Sequence, residues 1–418
     1  MKKRNALASM ALAGALLAGA SGTGFAAAHS HAKVTLTGKT HGVTLTLMFG
    51  SSGPAETAAV NAAAKAWGKM SHNKVNVINA SNLQQQLDQG FAGGTPPDVF
   101  YLSSTQMETL AKQNQLLPYA SLVGPAKDFY PALVKAFCYN HTWYCVPKDF
   151  SNLALEINTQ MWKAAGLTSA NIPKNWAQLQ ADAKKLTTGS VVGLSIGNTL
   201  DRIGAFFAEN GGSYMNKART KFVFNSPANL QALNFVQSMA KQGIMKFPQQ
   251  VGASWAGEAF GEGKAAMATE GNWIIGAMKS SYPSIKWEAV PMPAGPKGIK
   301  GTLTFTNCWG IPASSQHSAA AVNFVKYLAS PAQQLRFANA FGVLPSRIAT
   351  ANLYAKRNPS VAAFVQGARY ALPQVGTVGW PTVQASFDNQ VLGLATGASN
   401  PATMLNQLEQ NAQALLRP

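Results

Sequence analysis

Acidic residues are scarce in this chain of 418 residues. It contains 16 Asp plus Glu against 34 Lys plus Arg, which gives a formal net charge of +18 at pH 7. The sequence shows no window of clustered Lys or Arg, whereas nucleic-acid-binding proteins usually carry such a patch or stripe. The positive charge therefore reflects missing acids rather than a basic stripe, and it argues against a nucleic-acid partner.

The shortage of acids also bears on pH. Native carboxylates usually have depressed pKa values, so they contribute stability above their unfolded pKa that is lost as pH falls through the folded pKa. A chain with few carboxylates has less stability to lose in acid. We therefore hypothesise that this protein works outside a cell that lives in an acidic habitat.

Signatures of catalysis are mostly missing. The sequence has no Walker loop, Gly-x-Ser-x-Gly elbow, His-Glu-x-x-His or Cys-x-x-Cys motif. Outside the first 42 residues the histidines are only His72, His141 and His317, which is too few for a zinc site or a His-based triad to be expected. We expect no metal and no cofactor. A glycosidase needs only two carboxylates, and that class stays open, although the spacing of the acids singles out no pair.

Cysteine is also rare, and two of the three cysteines flank a short hairpin in "CYNHTWYC" (138–145). A hairpin centred between His141 and Thr142 would place Cys138 opposite Cys145, with Cβ atoms about 4.5 to 5.5 Å apart, near enough for a disulfide. A zinc site would need two further ligands, and a redox pair is more often Cys-x-x-Cys. We therefore predict a Cys138–Cys145 disulfide and a buried thiol at Cys308.

The N-terminus has the pattern of an export signal. Lys2, Lys3 and Arg4 precede an apolar run that ends in small residues at 26–28, so we predict a signal peptide over 1–28 with cleavage near Ala28. No cysteine stands near this end to carry a lipid anchor. The polar segment 29–42 is expected to be a flexible leader, and the mature protein to be periplasmic, secreted or held at the cell surface.

The next part of the chain alternates strands and helices. Apolar runs at 43–49, 75–80 and 97–103 are separated by amphipathic segments at 55–70 and 82–94, which predicts an α/β domain with a largely parallel sheet. Ligands bind at the carboxyl ends of the strands in such sheets. The loops "GSS" (50–52) and "YLSS" (101–104) are therefore candidate ligand loops.

Several aromatic residues stand beside turns. Aromatic rings can stack on the apolar faces of sugars while neighbouring polar groups satisfy the hydroxyls. Core packing is the simpler interpretation for any single ring, but rings next to Gly, Asn or Pro, as in "EGNWI" and "TNCWG", are better placed to face a cleft. The candidates are Phe49, Tyr101, Phe150, Trp255, Trp273, Trp309 and Trp380.

Five segments in order resemble a known family. They are "FAGGTPPDVFYLSSTQMETLAKQNQLLPY", "YCVPKDFSNLALEINTQMWKAAGL", "IPKNWAQLQADAKKL", "FGEGKAAMATEGNW" and "FGVLPSR". Together they resemble the extracellular solute-binding proteins of ABC sugar importers, the family that contains maltose-binding and glycerol-3-phosphate-binding proteins. The resemblance runs from about Val43 to the C-terminus. The family's Asn-Gly hairpin is "YNHT" here, its Tyr-Gly is Tyr144-Cys145, and the lysine of its Tyr-Asn-Lys is replaced by Gln160 or lost.

The resemblance implies an α/β, two-lobed periplasmic-binding-protein-like fold of type II, with a ligand cleft between lobes that are joined by crossover strands. Lobe 1 would comprise 43–149 and 306–346, and lobe 2 would comprise 150–305 and 347–418. The protein would be a monomer that captures a di- or oligosaccharide by lobe closure and delivers it to the membrane permease subunits. A ligand such as glycerol 3-phosphate or a phosphodiester, or a secreted glycosidase or lectin, is the alternative.

The resemblance also carries over candidate site residues by position. Aromatic rings would stack on the sugar, and Glu56, Asp149 and Arg347 would bind its hydroxyls. Asp98 is expected instead to order its own turn. The full ligand-binding set is Ser51, Glu56, Ser103, Ser104, Asp149, Phe150, Trp255, Asn272, Trp273, Trp309 and Arg347.

Overall fold

The computed structural model describes residues 34–377 and 379–416. The predicted signal peptide lies outside the described residues. The described end of the predicted flexible leader is held against the body of the protein, because Thr37 donates to Ser315 O (2.7 Å) and its backbone N–H donates to Ser318 Oγ (2.7 Å). The flexible leader over 29–42 stays a prediction, although Thr37 ties part of its described end to residues 315–318.

Several helices begin where a Ser or Asn is followed by Pro in the sequence. Ser226, Ser330 and Asn400 each cap a helix whose first residue is proline, an arrangement in which the missing proline N–H leaves no hydrogen bond unmade. The helices are α1 (Pro54–Ser71), α2 (Leu83–Ala92), α3 (Ser104–Lys112), α4 (Pro131–Ala136), α5 (Thr159–Ala164), α6 (Trp176–Leu186), α7 (Leu200–Glu209), α8 (Pro227–Lys241), α9 (Ala256–Gly261), α10 (Ile274–Ser280), α11 (Ser318–Leu328), α12 (Pro331–Phe341), α13 (Ile348–Arg357), α14 (Ala362–Gly367), α15 (Trp380–Thr396) and α16 (Pro401–Ala414).

The strands form two large sheets and one small hairpin. Short 3-10 turns occur at Ala120–Leu122, Ala126–Asp128, Ser169–Asn171, Pro248–Val251 and Pro359–Val361. The strands are β1 (Thr44–Phe49), β2 (Lys74–Asn79), β3 (Val99–Ser103), β4 (Cys138–Tyr139), β5 (Thr142–Trp143), β6 (Asp149–Asn158), β7 (Val192–Ile196), β8 (Met245–Lys246), β9 (Ala265–Gly271), β10 (Trp287–Val290), β11 (Leu303–Phe305), β12 (Asn307–Gly310), β13 (Leu344–Pro345) and β14 (Leu372–Pro373).

The first sheet has the order β12-β3-β1-β2. β1 runs parallel to β2 and β3, and β12 joins antiparallel to β3, which confirms the predicted α/β domain with a largely parallel sheet. Asp98 does not order its own turn as predicted. Its Oδ2 accepts from the Thr46 N–H (2.9 Å) and its Oδ1 accepts from Ser315 Oγ (3.0 Å), so it ties β1 to the loop before α11.

The second sheet is mixed and is built around β6, which is buried along almost its whole length. Its order is β14-β11-β6-β9-β7-β8, and β10 and β13 also pair with β6. Leu153, Leu155 and Ile157 join one apolar cluster while Phe150 and Ala154 join another. Because alternate side chains of a strand point to opposite faces, this sheet is covered by apolar packing on both sides.

Adjacent segments carry the chain between the two sheets. Thr306 separates β11 from β12, and its hydroxyl donates to Asp149 O (2.6 Å) at the start of β6. Ser346, just after β13, donates to Pro147 O (2.6 Å). A separate apolar core over the first sheet draws its residues from 45–146 and 308–337. The predicted lobe boundaries stay a prediction.

The β4–β5 hairpin differs from its predicted register. Cys138 pairs with Trp143 and Tyr139 with Thr142, so the hairpin is centred between Asn140 and His141, one residue earlier than predicted. Asn140 and His141 have φ values of 45° and 60°, the left-handed backbone that two-residue hairpin turns of type I′ require. Moving the centre by one residue changes the position opposite Cys138 by two residues, from Cys145 to Trp143.

The disulfide therefore has different partners from those predicted. Cys145 is bonded to Cys308, with Cα atoms 5.8 Å apart, and Cys138 is the free cysteine. Both expectations, the Cys138–Cys145 pairing and a buried thiol at Cys308, are wrong. The segment after the hairpin runs alongside β12, where Trp309 N donates to Val146 O (3.2 Å), and this pairing brings Cys145 next to Cys308.

Candidate functional site

Two groups of polar and aromatic side chains flank the place where the chain passes between the sheets. In the first sheet, Ser103 at the end of β3 pairs with Asn307. In the second sheet, Ser151 pairs with Phe305. Only Thr306 separates these two pairings along the chain. Side chains near the end of β3 and side chains around Phe305 are thus held on either side of one crossover.

The Lys148 cluster (Glu56, Tyr101, Lys148 and Asp149) lies on the first-sheet side. Lys148 Nζ is 3.4 Å from Glu56 Oε1, contacts Asp149 Oδ2, and lies 4.3 Å from the centre of the Tyr101 ring. Tyr101 donates to Glu56 Oε1 at 2.9 Å. Glu56 stands in the first turn of α1, where Ser52 N and Oγ donate to its Oε2 at 2.8 and 2.6 Å. One ammonium thus joins the two predicted carboxylates.

The electrostatics of this cluster favour charged partners held together. Burial would raise the pKa of Glu56, but the Lys148 ammonium and the hydrogen bonds from Ser52 lower it overall. Burial raises the pKa of Asp149, and the Lys148 ammonium opposes part of that rise. All four side chains are buried. The polar atoms of the cluster are therefore occupied by one another, and the cluster fixes the geometry of the crossover.

The Trp273 cluster (Arg202, Glu270, Trp273 and Phe305) lies on the second-sheet side. Arg202 pairs with Glu270 Oε2 at 3.0 Å, and the Trp273 indole N–H donates to the same oxygen at 3.0 Å. The guanidinium carbon of Arg202 lies 4.8 Å from the centre of the indole, and the Phe305 ring meets the indole edge to face at 5.8 Å. The Trp273 side chain is nevertheless 37% exposed, so a large aromatic surface is both fixed and open.

A glycine permits this arrangement. The indole of Trp273 folds back over Gly271, and a Cβ at that position would overlap the ring. Any larger residue at 271 would displace the indole from its hydrogen bond with Glu270. The sequence "EGNW" thus supplies, within four residues, the Glu270 carboxylate, the Trp273 ring and a glycine that leaves room for this ring.

A second buried carboxyl lies beneath Glu270. The Glu270 N–H donates to Glu156 Oε2 at 2.9 Å. Burial and the neighbouring Glu270 raise the pKa of Glu156 well above its usual range. Burial also raises the pKa of Glu270, although Arg202 opposes that rise. Arg202 pairs with Glu270 and not with Glu156, so Glu156 is the carboxyl of the two whose neutral form burial favours more strongly.

The structure distributes the predicted site residues unevenly. Glu56 and Asp149 meet at Lys148, and Trp273 is the open ring of the second cluster. Ser51 and Ser103 are partly exposed at the ends of β1 and β3. Ser51 Oγ donates to Gly53 O (2.6 Å), and Ser103 Oγ bonds the Thr105 and Gln106 side chains. The ligand-binding role of these five residues stays a prediction.

Other predicted residues contact protein instead. Ser104, Phe150 and Trp309 are about 1% exposed, and the two rings pack into apolar cores. Asn272 accepts from Asn152 N and donates to Gly342 O, so it fixes backbone. Trp255 packs at the edge of the core that contains Phe150. In this conformation Ser104, Phe150, Trp309 and Asn272 offer no open surface for a ligand, whereas Trp255 is only partly buried.

Arg347 is also engaged elsewhere. Its guanidinium pairs with Asp128 at 3.1 Å, donates to Ala329 O at 2.8 Å, and lies 4.6 Å from the Phe129 ring centre. These contacts hold the segment after β13 against the loop before α4. The predicted role of Arg347 in binding a hydroxyl is thus replaced here by a packing role.

Sequence reasoning missed four residues of the two clusters. Lys148 directly precedes Asp149, and Glu270 begins the "EGNW" segment, so the motifs themselves contained a signal for both residues. Arg202 and Phe305 carried no signal, because their positions are set by helix α7 and strand β11, which are distant in sequence from Trp273.

In residues 34–377 and 379–416 no group of three or more His, Cys, Asp or Glu could hold a metal ion, and no helix is long and apolar enough to span a membrane.

The two sheets are joined at a crossover, and beside it the Trp273 ring is partly open and is held by Glu270 and Arg202. This arrangement is that of a ligand-binding protein. A family model described as "Bacterial extracellular solute-binding protein" matches residues 50–335. The chain belongs to this family and is the solute-binding protein of an ABC transporter rather than an enzyme. The family match confirms the resemblance drawn from the motifs.

Solved structures share this fold. The sugar-binding protein MalE of Xanthomonas citri is 21% identical with a TM-score of 0.79, covering 89% of this chain and 97% of that one. An ABC substrate-binding protein of Listeria monocytogenes in complex with cycloalternan is 23% identical with a TM-score of 0.75, covering 89% and 98%. The cyclic alpha-maltosyl-1,6-maltose binding protein of Arthrobacter globiformis is 19% identical with a TM-score of 0.78, covering 89% and 98%. They support the two-lobed fold.

Proposed function

We propose that the protein captures an oligosaccharide outside the cytoplasm and delivers it to the membrane permease subunits of its importer. The observation that carries this proposal is the Trp273 indole, which is 37% exposed and is held by Glu270 and Arg202. An indole with an open face can stack on the apolar face of a sugar ring. Three similar proteins, named above, are described as binding sugars or are solved with cycloalternan, which supports the same ligand class.

Binding would proceed by closure of the two lobes. The predicted lobes meet at the crossover, with the Lys148 cluster on one side and the Trp273 cluster on the other. A ligand that contacts both sides only in the closed state shifts the hinge equilibrium toward closure. The expected assembly is a monomer that docks on the permease in the closed form.

Titration calorimetry with linear and cyclic gluco-oligosaccharides tests the ligand class. We expect Trp273→Ala to weaken binding by roughly 2 kcal/mol, about thirtyfold, because the largest open contact is removed. Trp273→Phe keeps an aromatic face and should retain most of the affinity. Trp287→Phe, a change at a partly buried tryptophan of the second sheet, is the matched control. Equal loss in all three variants, or no oligosaccharide binding by the wild type, would refute the proposal.

The glycosidase alternative needs two carboxyl groups that reach a ligand. Glu156 and Glu270 lie close together, but both are about 1% exposed or less. They therefore hold the Trp273 ring in place and do not face open space. A glycerol phosphate would need a cation with free donors, yet Arg202 is bonded to Glu270. Release of monosaccharide from the oligosaccharides above would favour the enzyme. Glycerol phosphate binding that is tighter than sugar binding and that Trp273→Ala weakens would favour the phosphate ligand at this site.

A further inference from the structure

A basic groove lies away from both clusters. It has a volume of about 1010 Å³ and opens between helix α4, the β4–β5 hairpin and the turn at 216–221. Lys127 and Lys135 line one side, Lys217 and Arg219 line the other, and no acidic side chain is among the lining residues. Pro131 and Ile348 add apolar surface. The groove thus combines several cationic side chains with an apolar surface on which the uncharged part of a ligand could lie.

The turn that supplies two of these cations is firmly built. Asn216 Oδ1 accepts from Thr220 N at 2.9 Å, and Asn216 N donates to Lys221 O at 2.9 Å. Arg219 has φ 58°, the left-handed conformation that a residue with a Cβ adopts only at a cost. Strain of this kind persists where the surrounding structure imposes it, and it often marks a functional position. This turn thus places Arg219 among the residues that line the groove.

Arg219 also reaches across to helix α3. Its Nη2 lies 3.1 Å from Glu108 Oε2, and Glu108 is shared with Lys112 at 2.8 Å. One carboxylate therefore serves two cations, which leaves Arg219 only partly neutralised. In the part of the chain that the structure describes, no carboxylate lies within ion-pair distance of Lys127, Lys135 or Lys217.

The cations also act on one another. Partial desolvation and then the neighbouring Arg219 guanidinium lower the pKa of Lys135. Like charges held near one another in a groove repel, and an anion placed between them removes that repulsion. Phosphate is a strong acceptor for both Arg and Lys.

We propose that this groove is a second ligand site, which binds an organic anion of the phosphate-ester type. Lys127, Lys135, Lys217 and Arg219 hold the charged group, and the organic body lies on Pro131 and Ile348. The anion is either a free organophosphate or the headgroup of a lipid. The site is separate from the Trp273 cluster, so it stands or falls independently of the proposed sugar ligand.

Calorimetry of the full chain with phenyl phosphate, at about 0.15 M salt, tests the site. We expect measurable binding that the double variant Lys135→Gln/Lys217→Gln weakens by at least about tenfold. Lys163→Gln/Lys184→Gln removes the same charge from two exposed lysines on helices α5 and α6, and it should change the affinity less than about twofold. Equal weakening by both double variants would mean attraction to the net charge alone, and absence of binding would overturn the site directly.

A second variant guards against loss of the fold. Glycine adopts φ 58° freely, so Arg219→Gly should leave thermal stability near the wild-type value while it weakens phenyl phosphate binding. Unchanged affinity in this variant would contradict the assigned role of Arg219. Sedimentation with phosphatidylcholine vesicles, with and without phosphatidylglycerol, separates the sources. Retention that depends on phosphatidylglycerol and on the groove lysines identifies a lipid headgroup, and phenyl phosphate binding without retention identifies a free anion.

Discussion

The backbone N–H of Glu270 donates a 2.9 Å hydrogen bond to Glu156 Oε2, so two buried carboxyls meet beside the single guanidinium of Arg202. Because of this relationship, we expect the stability of the protein to fall as pH rises. A carboxyl whose folded pKa is raised contributes stability that is fully present below its unfolded pKa and is lost as pH rises through the folded pKa. Burial gives Glu156, Glu209 and Asp388 such raised pKa values, and that of Asp388 is about 6.

We predict that the free energy of unfolding is larger near pH 5 than near pH 8. Glu56 acts in the opposite sense, because its lowered pKa contributes stability that is lost as pH falls through its folded value. The carboxyls with raised pKa values outnumber those with lowered ones, so their contribution should dominate. Urea unfolding across this range measures the balance. A steady fall in stability from pH 8 to pH 5 would contradict both this prediction and the acid-habitat hypothesis.

Glu156→Gln tests the main contributor. Glutamine has the shape of the protonated acid, so the variant should be close to wild type near pH 5 and more stable than wild type near pH 8. Each unit of removed pKa difference is worth about 1.4 kcal/mol. Asp88→Asn, at an exposed acid on α2, is the control and should leave the pH profile unchanged. A profile for Glu156→Gln that matches wild type would mean that Glu156 is ionised in the folded state.

Lys148 should be essential for stability. Lys148→Met leaves Glu56 and Asp149 buried without their shared cation, which we expect to cost about 3 to 5 kcal/mol. Adding Glu56→Gln to this variant removes one of the two stranded charges and should restore part of the loss. Chemical denaturation of the single and double variants measures both effects. An additive, further loss in the double variant would show that the ion pair is not the reason for the cost.

Gly271→Ala should weaken ligand binding without unfolding the protein. The added methyl group displaces the Trp273 indole, so we expect oligosaccharide affinity to fall by at least about tenfold, or 1.4 kcal/mol. Gly276→Ala on α10 is the control, because a Cβ there meets no atom within 4 Å. Alanine also suits a helix better than glycine, by about 1 kcal/mol. The idea fails if the two alanine variants bind the ligand equally well.

The free thiol should map to Cys138. Alkylation of the unfolded, unreduced protein, followed by peptide mapping, is expected to label this residue alone. Cys138→Ser should therefore keep the disulfide, whereas Cys145→Ser should lower stability by several kcal/mol, up to about 5 in the chain-entropy model for a loop of this length. Label found on Cys308 would restore the hairpin pairing that the sequence suggested.

The sequence predicted the regular elements well where each one carries its own periodicity. Strand β1 and helix α1 have clear patterns, and they form where the apolar run at 43–49 and the amphipathic segment at 55–70 predicted them. The hairpin register failed because its centre depends on Asn140 and His141 adopting left-handed backbone, which hydrophobic pattern does not report. The disulfide failed with it, since the pairing of Cys145 depends on a strand that lies 163 residues away.

The candidate site was less predictable than the fold. Proximity to a turn singled out both Trp273 and Trp309, yet only Trp273 is exposed, because β12 carries Trp309 into the core beneath α12. Glu56 and Asp149 were selected as ligand groups, but the ammonium between them came from Lys148, an ordinary lysine by composition. Arg202 reaches the Trp273 ring through the fold alone, so no local motif could have identified it.

The Cys145–Cys308 bond has a topological consequence. It closes residues 146–307 into one covalent ring, and that ring contains strands β6 to β11, most of the second sheet. A single protease cut anywhere inside the ring leaves one covalent molecule, because the chain on either side of the cut remains joined through the two sulfur atoms. A protein exposed to extracellular proteases can thus be nicked in its larger sheet without losing either half.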